Sequence, residues 1–139
     1  VVAPIDKWFF SLLLFAPLFS LLHELGHAAM LRLVGNKAER IALGVGPLLF
    51  RAGAFEFHLL PFGGRVSGAI PSGFPGIAVA LGGLMMTWTM AIFGLFVPFV
   101  PVEIKAAWLA LALFDLTNLI PFRGWDGWWA IRAFARLGV

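Results

Sequence analysis

His23 and His27 stand four residues apart, with Glu24 beside the first, in the run His23-Glu24-Leu25-Gly26-His27. On a helix this spacing puts both imidazoles on one face, where together they can hold one tetrahedral Zn²⁺. Glu24 is angularly next to His23 and can reach a water beside the ion, which makes it a candidate general base. A hydrolytic zinc site takes three protein ligands and keeps one position open. The chain has no cysteine, so the third ligand must be His, Asp or Glu. Asp126, flanked by Gly124 and Gly127, is the choice by depth, because it follows the third apolar segment near the end where His23 and His27 lie. The blander readings are two helix-end histidines reaching for an interface, and a loop aspartate beside a helix terminus.

These groups sit in a chain that is 61% hydrophobic and 12% charged, with a mean hydropathy of +0.96 over 139 residues. Soluble domains carry about 25% charged residues. The composition therefore excludes an ordinary soluble domain, a disordered chain and a nucleic-acid module. It indicates an α-helical membrane protein. Ionisable groups inside a membrane helix are costly and default to function, which adds weight to the His-Glu-His cluster.

Three spans are expected, with a small membrane-associated β-sheet between the first two. Helix 1 covers about residues 8–34, with Pro17 as a tolerated kink. No A-x-A-like site follows it, so a signal peptide is rejected. Helix 2 covers about 75–98 and helix 3 about 104–121, closed by Pro121 and Gly124. Residues 35–72 are punctuated by Gly46, Gly53, Gly63 and Gly64 and alternate as Phe55-Glu56-Phe57-His58-Leu59, the pattern of short strands. Residues 122–139 form a metal-ligand loop and an amphipathic tail, with Arg132 and Arg136 on one face. The whole of 1–139 reads as one membrane-embedded domain.

Arg32, Lys37, Arg40, Arg51 and Arg65 follow helix 1, and Arg123, Arg132 and Arg136 follow helix 3, against Lys7 and Lys105 on the other side. This bias places the long loop and the C-terminus in the cytoplasm and the N-terminus outside, as expected in a bacterial-type cytoplasmic membrane. Trp8 and Trp108 then fall at the outer interface, and Trp125, Trp128 and Trp129 at the inner one.

The HELGH of a first membrane helix, a glycine-rich strand segment (Leu43-Gly44-Val45-Gly46-Pro47, then Leu60-Pro61-Phe62-Gly63-Gly64-Arg65-Val66) and Asn118-Leu119-Ile120-Pro121-Phe122-Arg123-Gly124-Trp125-Asp126-Gly127 occur in that order. Together they resemble the site-2 protease family of intramembrane zinc metalloproteases, over about residues 12 to 130. The resemblance implies that His23, His27 and Asp126 bind Zn²⁺ and that Glu24 activates the water. It implies a transmembrane protein substrate, cleaved near the cytoplasmic face and presented as an extended strand by edge pairing along Phe55 to Leu60. Phe55, Phe57, Leu59, Gly63, Gly64 and Asn118 are the expected substrate contacts. The length leaves no room for a PDZ-like or other accessory domain, so a minimal core is expected.

Two departures bear on activity. The family's second core helix carries a G-P-x-x-N-like motif; here the stretch is Gly82-Gly83-Leu84-Met85-Met86, with Met86 at the Asn position and Thr87 or Thr89 as substitutes. The tract before the aspartate is Gly124-Trp125, where the family often has Pro-Leu. The alternative is therefore a catalytically impaired member serving as a structural subunit of a larger membrane complex. An ion or proton carrier using Glu24 and Asp115 is a weaker third reading, since three spans enclose little pathway. Asp115 either tunes the site or pairs with a membrane partner, with a purely structural role equally open. His58 reads as an interfacial histidine rather than a ligand, Gly82-Gly83 permits close helix approach, and lipid bilayer rather than nucleic acid is the expected surroundings.

Overall fold

The structure, a computed structural model, describes residues 4–136. The chain runs α1 (Pro4–Leu33), β1 (Ala38–Ala52), β2 (Phe55–Gly68), α2 (Gly73–Leu95), α3 (Val102–Asp115), a 3₁₀ turn η1 (Leu116–Leu119) and α4 (Asp126–Ala135). Helix α1 begins at a proline, whose fixed φ suits a first turn, and carries Asp6 there, where the helix dipole favours an acid. It passes through Pro17 without ending. Helix α2 stops at Leu95, short of the expected 98, because the residue before Pro98 is steered away from helical backbone.

Two helices, α1 and α2, are long and apolar enough to cross a membrane. The third expected span is shorter than the sequence suggested. Helix α3 has 14 residues, which at 1.5 Å each reach ~21 Å against a hydrocarbon core of ~30 Å. It tightens into η1, and Ile120, ahead of Pro121, is already extended (φ −64°, ψ 131°).

The packing is inverted relative to a soluble bundle. The buried apolar residues are mostly small (Ala80, Ala91, Ala107 and Ala112), while Phe10 and Leu14 on α1 are 65% and 72% exposed. Phe19, Ala91 and Ala112 form a core ringed by Phe15, Trp88, Trp108 and Leu111. Small residues at helix contacts with large apolar ones outside is the pattern that lets helices approach closely in lipid. On α1 the core lies N-terminal to His23, so the chemistry-bearing half of the helix stands beyond it.

The expected small sheet is present, but its strands are long and doubled. Ala38↔Gly68, Ile41↔Val66 and Leu43↔Gly64 run antiparallel, as do Phe50↔Phe57 and Ala52↔Phe55 across the turn at Gly53. Between them Ile41↔Phe55, Ala42↔Glu56 and Leu43↔Phe57 rise together, which is a parallel register. The Ile41 amide donating to the Ala54 carbonyl at 2.8 Å fits that geometry. Each long strand therefore pairs in two stretches separated by irregularities, and Gly44, Gly46 and Gly63, all with positive φ, turn the chain there. Phe55 to Phe57 is paired on both sides. This corrects the expected free edge for Phe55 to Phe57, whereas His58 and Leu60 pair on one side only, with Leu48 and Val45.

Candidate metal centre

Helix α1 presents His23, Glu24 and His27, 7%, 5% and 8% exposed. The close crossing of α1 and α2 buries the two histidines. A Cβ on Gly26 would overlap the Gly82 carbonyl, and one on Gly83 would lie 2.5 Å from His23 Nε2. Only glycine allows α2 to lie this near the imidazole. Asp126 arrives by a different route. Pro121 ends the preceding segment, Gly124 turns the chain at φ +94°, and Asp126 opens α4. Gly127 holds it there, since a Cβ at that position would overlap the Leu119 carbonyl.

The result is a convergence of three side chains. His23 Nε2 is 3.0 Å from His27 Nε2 and 3.0 Å from Asp126 Oδ2, and His27 Nε2 is 3.2 Å from Asp126 Oδ1. One ligand atom from each of the three lies within 4.8 Å of the others. The outer nitrogens face elsewhere. His27 Nδ1 donates to the Val79 carbonyl at 2.7 Å, and His23 Nδ1 lies 2.9 Å from Asp115 Oδ1. With the proton of each imidazole on Nδ1, the two Nε2 atoms and a carboxylate would offer a cluster of acceptors to one spot. Such a cluster of acceptors is satisfied by a cation, and two imidazoles with one carboxylate are a zinc donor set with a position to spare.

Two cavities meet at this point. The larger, about 460 Å³, is lined by Ser20, His23, Phe62, Gly63, Leu111, Phe114, Asn118 and Trp125 among others. The smaller, about 80 Å³, is lined by His27, Leu31, Arg65, Val66, Val79 and Trp129 among others. Glu24, Gly64, Gly124 and Asp126 belong to both walls. Glu24 is pressed by the sheet, since a Cβ on Gly64 would lie 2.7 Å from its Cγ. The Gly63 amide donates to the Ser20 hydroxyl at 3.0 Å, tying β2 to α1.

Of the residues expected to meet substrate, Gly63, Gly64 and Asn118 line the larger cavity. Phe55, Phe57 and Leu59 line neither. Phe57 stacks on Phe50 with centroids 4.5 Å apart, within the sheet. His58 donates from Nδ1 to the Gly46 carbonyl at 2.7 Å and lies outside the metal group. Neither threonine of α2 replaces the missing amide. Thr89 bonds to the Met85 carbonyl at 2.7 Å and Thr87 bonds to Asp115. Met86 packs beside Gly26 at the helix crossing. The role of the Val79 carbonyl has no signature in the sequence, since it acts through backbone, whereas Gly124 already stands out there as a break.

Two buried histidines and a half-buried aspartate within reach of one ion, with a buried carboxylate beside them, suit a metal-dependent hydrolase, and comparison with known proteins agrees. The profile of peptidase family M50 matches residues 9–105, well over half of the chain. The chain belongs to peptidase family M50, the site-2 protease family of membrane-embedded zinc metalloproteases that the motifs resemble. The matched residues include His23, Glu24 and His27 and end before Asp126. A protein of Clostridium perfringens, provisionally named a zinc metalloprotease, is 48% identical over 61 residues, covering 41% of this chain and 18% of that protein. A second provisionally named zinc metalloprotease, from Chlamydia pneumoniae, is 44% identical over 50 residues, 33% of this chain and 8% of its own length. The matches thus span less than a fifth of either relative. No solved structure gives a significant match.

Proposed function

We propose that this chain is an intramembrane zinc endopeptidase that cleaves membrane-spanning protein substrates near the cytoplasmic face. The observation that carries the proposal is the convergence of His23 Nε2, His27 Nε2 and the Asp126 carboxylate, with buried Glu24 on the wall shared by two cavities. His23, His27 and Asp126 are the ligands. Bound zinc supplies Lewis acidity at the scissile carbonyl and acidifies water. Glu24 accepts the proton of the attacking water and returns it to the leaving amine.

The surrounding chain orients the peptide. Gly63, Gly64 and Asn118 line the larger cavity, where an unwound stretch of substrate lies against β2; a peptide bond inside a helix is shielded from attack. The stretch of β2 from Gly64 to Gly68 pairs on one side with Ala38 to Leu43, and its other side is the edge for such a strand. In this reading α3 and η1 together make the third crossing, with the N-terminus outside and the C-terminus in the cytoplasm. Arg132, whose guanidinium lies 5.8 Å from the Trp128 ring and 5.9 Å from the Trp129 ring, anchors α4 at the inner interface.

A second reading follows from Met86. The helix that would bring an amide to the cleft carries Met86 at the crossing beside Gly26 instead, and loss of one oxyanion donor elsewhere costs about 10²–10³ in rate. On that reading the chain is a structural subunit of a larger membrane complex. Zinc content and cleavage of a model transmembrane substrate separate the two, with wild type compared against Glu24→Gln. Stoichiometric zinc with Glu24-dependent cleavage supports the peptidase. Stoichiometric zinc without it sinks the peptidase reading and leaves the structural one, and a protein that takes up no zinc removes the metal assignment.

A further inference from the structure

The two histidines of the centre are held from behind by different chemistry. His27 Nδ1 donates to a backbone carbonyl, that of Val79, at 2.7 Å. His23 Nδ1 faces a side-chain carboxylate, Asp115 Oδ1, at 2.9 Å. That contact is bent, so Nδ1 is buried without a well-aligned partner, and Asp115 is the acceptor within reach. Asp115 is in turn gripped from two elements. The Thr87 hydroxyl of α2 donates to its Oδ2, and the Asn118 amide of η1 donates to its Oδ1 at 2.9 Å.

Asp115 is not a fourth metal ligand, because it stands on the Nδ1 side of His23, away from where the Nε2 atoms and Asp126 converge. Its side chain is 11% exposed, so an unpaired carboxylate there is costly. What it can do is accept the Nδ1–H of His23, which selects the tautomer with a free Nε2 lone pair and fixes the plane of the ring. The Thr87 hydroxyl and the Asn118 amide leave that carboxylate little freedom to turn away. Thr87, the residue after Met86, thus serves the centre from behind rather than from the cleft.

We propose that Asp115 is a positioning residue for His23, held by Thr87 and Asn118, which sets the Nδ1–H tautomer and the ring orientation for the metal. This rests on the metal-site reading above. The test has two readouts on the full chain in detergent. The first is the ¹⁵N–¹H two-bond pattern of the histidines in zinc-free protein, and the second is zinc affinity by chelator competition. Wild type is expected to show His23 protonated at Nδ1, and Asp115→Asn to shift His23 toward Nε2–H while His27, held by Val79, keeps its pattern.

Outer partners of ligating histidines are worth about 10–100-fold in metal affinity. Asp115→Ala is expected within that range, Asp115→Asn nearer its lower end, and Thr87→Val below both. The inference is overturned if wild-type His23 is the Nε2–H tautomer, a result that needs no variant. It is also overturned if both Asp115 variants bind zinc within twofold of wild type. The metal-site reading fails separately, if wild type binds no zinc or if His23→Ala and His27→Ala leave its affinity unchanged.

Discussion

The centre lies between two surfaces built on opposite principles. Its floor is helical. Gly26 and Gly82 bring two backbones into contact, Gly83 lies under the His23 ring, and Gly127 seats α4 beneath Leu119. Its roof is the sheet, where strands of 15 and 14 residues break register repeatedly and apolar side chains such as Leu49 and Phe50 are 58% and 55% exposed. The floor allows no added atom, whereas the roof is mixed: a Cβ on Gly46 or Gly53 meets nothing within 4 Å, while one on Gly44 or Gly64 would overlap backbone. The metal ligands belong to the floor, and the surface a substrate would lie along belongs to the roof.

Substitutions that enlarge a glycine of the floor test this contrast most severely. Gly26→Leu drives a side chain into the Gly82 backbone and Met86; overpacking of this kind costs about 1–3 kcal/mol or more. Loss of zinc and of a monodisperse elution profile is expected, and a variant that binds zinc normally would show that the crossing does not hold the site. Gly83→Ala is next. Its methyl displaces the His23 ring, and a fall in zinc affinity with the fold retained is expected by chelator competition.

At the roof, Gly64→Ala places a methyl 2.5 Å from the Ala42 carbonyl and 2.7 Å from Glu24 Cγ. Zinc should stay while cleavage falls, by up to about 10²-fold if Glu24 shifts by an ångström; zinc loss here would erase the distinction between roof and floor. Phe50→Leu removes the stacked partner of Phe57. About 0.5–1.5 kcal/mol of stability is at stake, read as a lowered melting temperature with unchanged zinc affinity. Thr89→Val should move stability by no more than about 0.5 kcal/mol, because the hydroxyl serves only the Met85 carbonyl of its own helix. An effect on cleavage as large as that of Gly64→Ala would return Thr89 to the cleft.

How much of this could be read from the residues depends on how local each feature is. His23 and His27 were legible because a spacing of four has one meaning on a helix. Asp126 was legible because a chain with seven acids and three histidines offers few third ligands. The apolar lengths of α1 and α2 declared themselves in the same way. The apolar run of the third helix continues past Asp115 to 121 and so conceals where the helix ends. The chain tightens into η1 instead, since Ile120 must be extended ahead of Pro121.

The sheet was legible as strands but not as an arrangement. Alternation at Phe55 to Leu59 states which residues share a face, not that Ile41 to Leu43 lie alongside Phe55 to Phe57. That pairing depends on bulges at glycines whose positive φ no alternation pattern reveals. A tuning role for Asp115 is open in the sequence, but the partners that hold it are not legible there, since Thr87, Asn118 and His23 come from three different elements.

The ligands of the centre come from far apart in the chain: His23 and Asp126 are 103 residues apart. An ion gripping both acts as a removable cross-link that closes most of the polypeptide into a loop, and the binding energy of such an ion is in part folding energy. Without such an ion α4 would still pack on α2, where Ala133 is buried against Gly76, but its first turn would lose its tie to α1. Forms with and without an ion at this centre should therefore differ in how readily a soluble protease cuts the segment between η1 and α4.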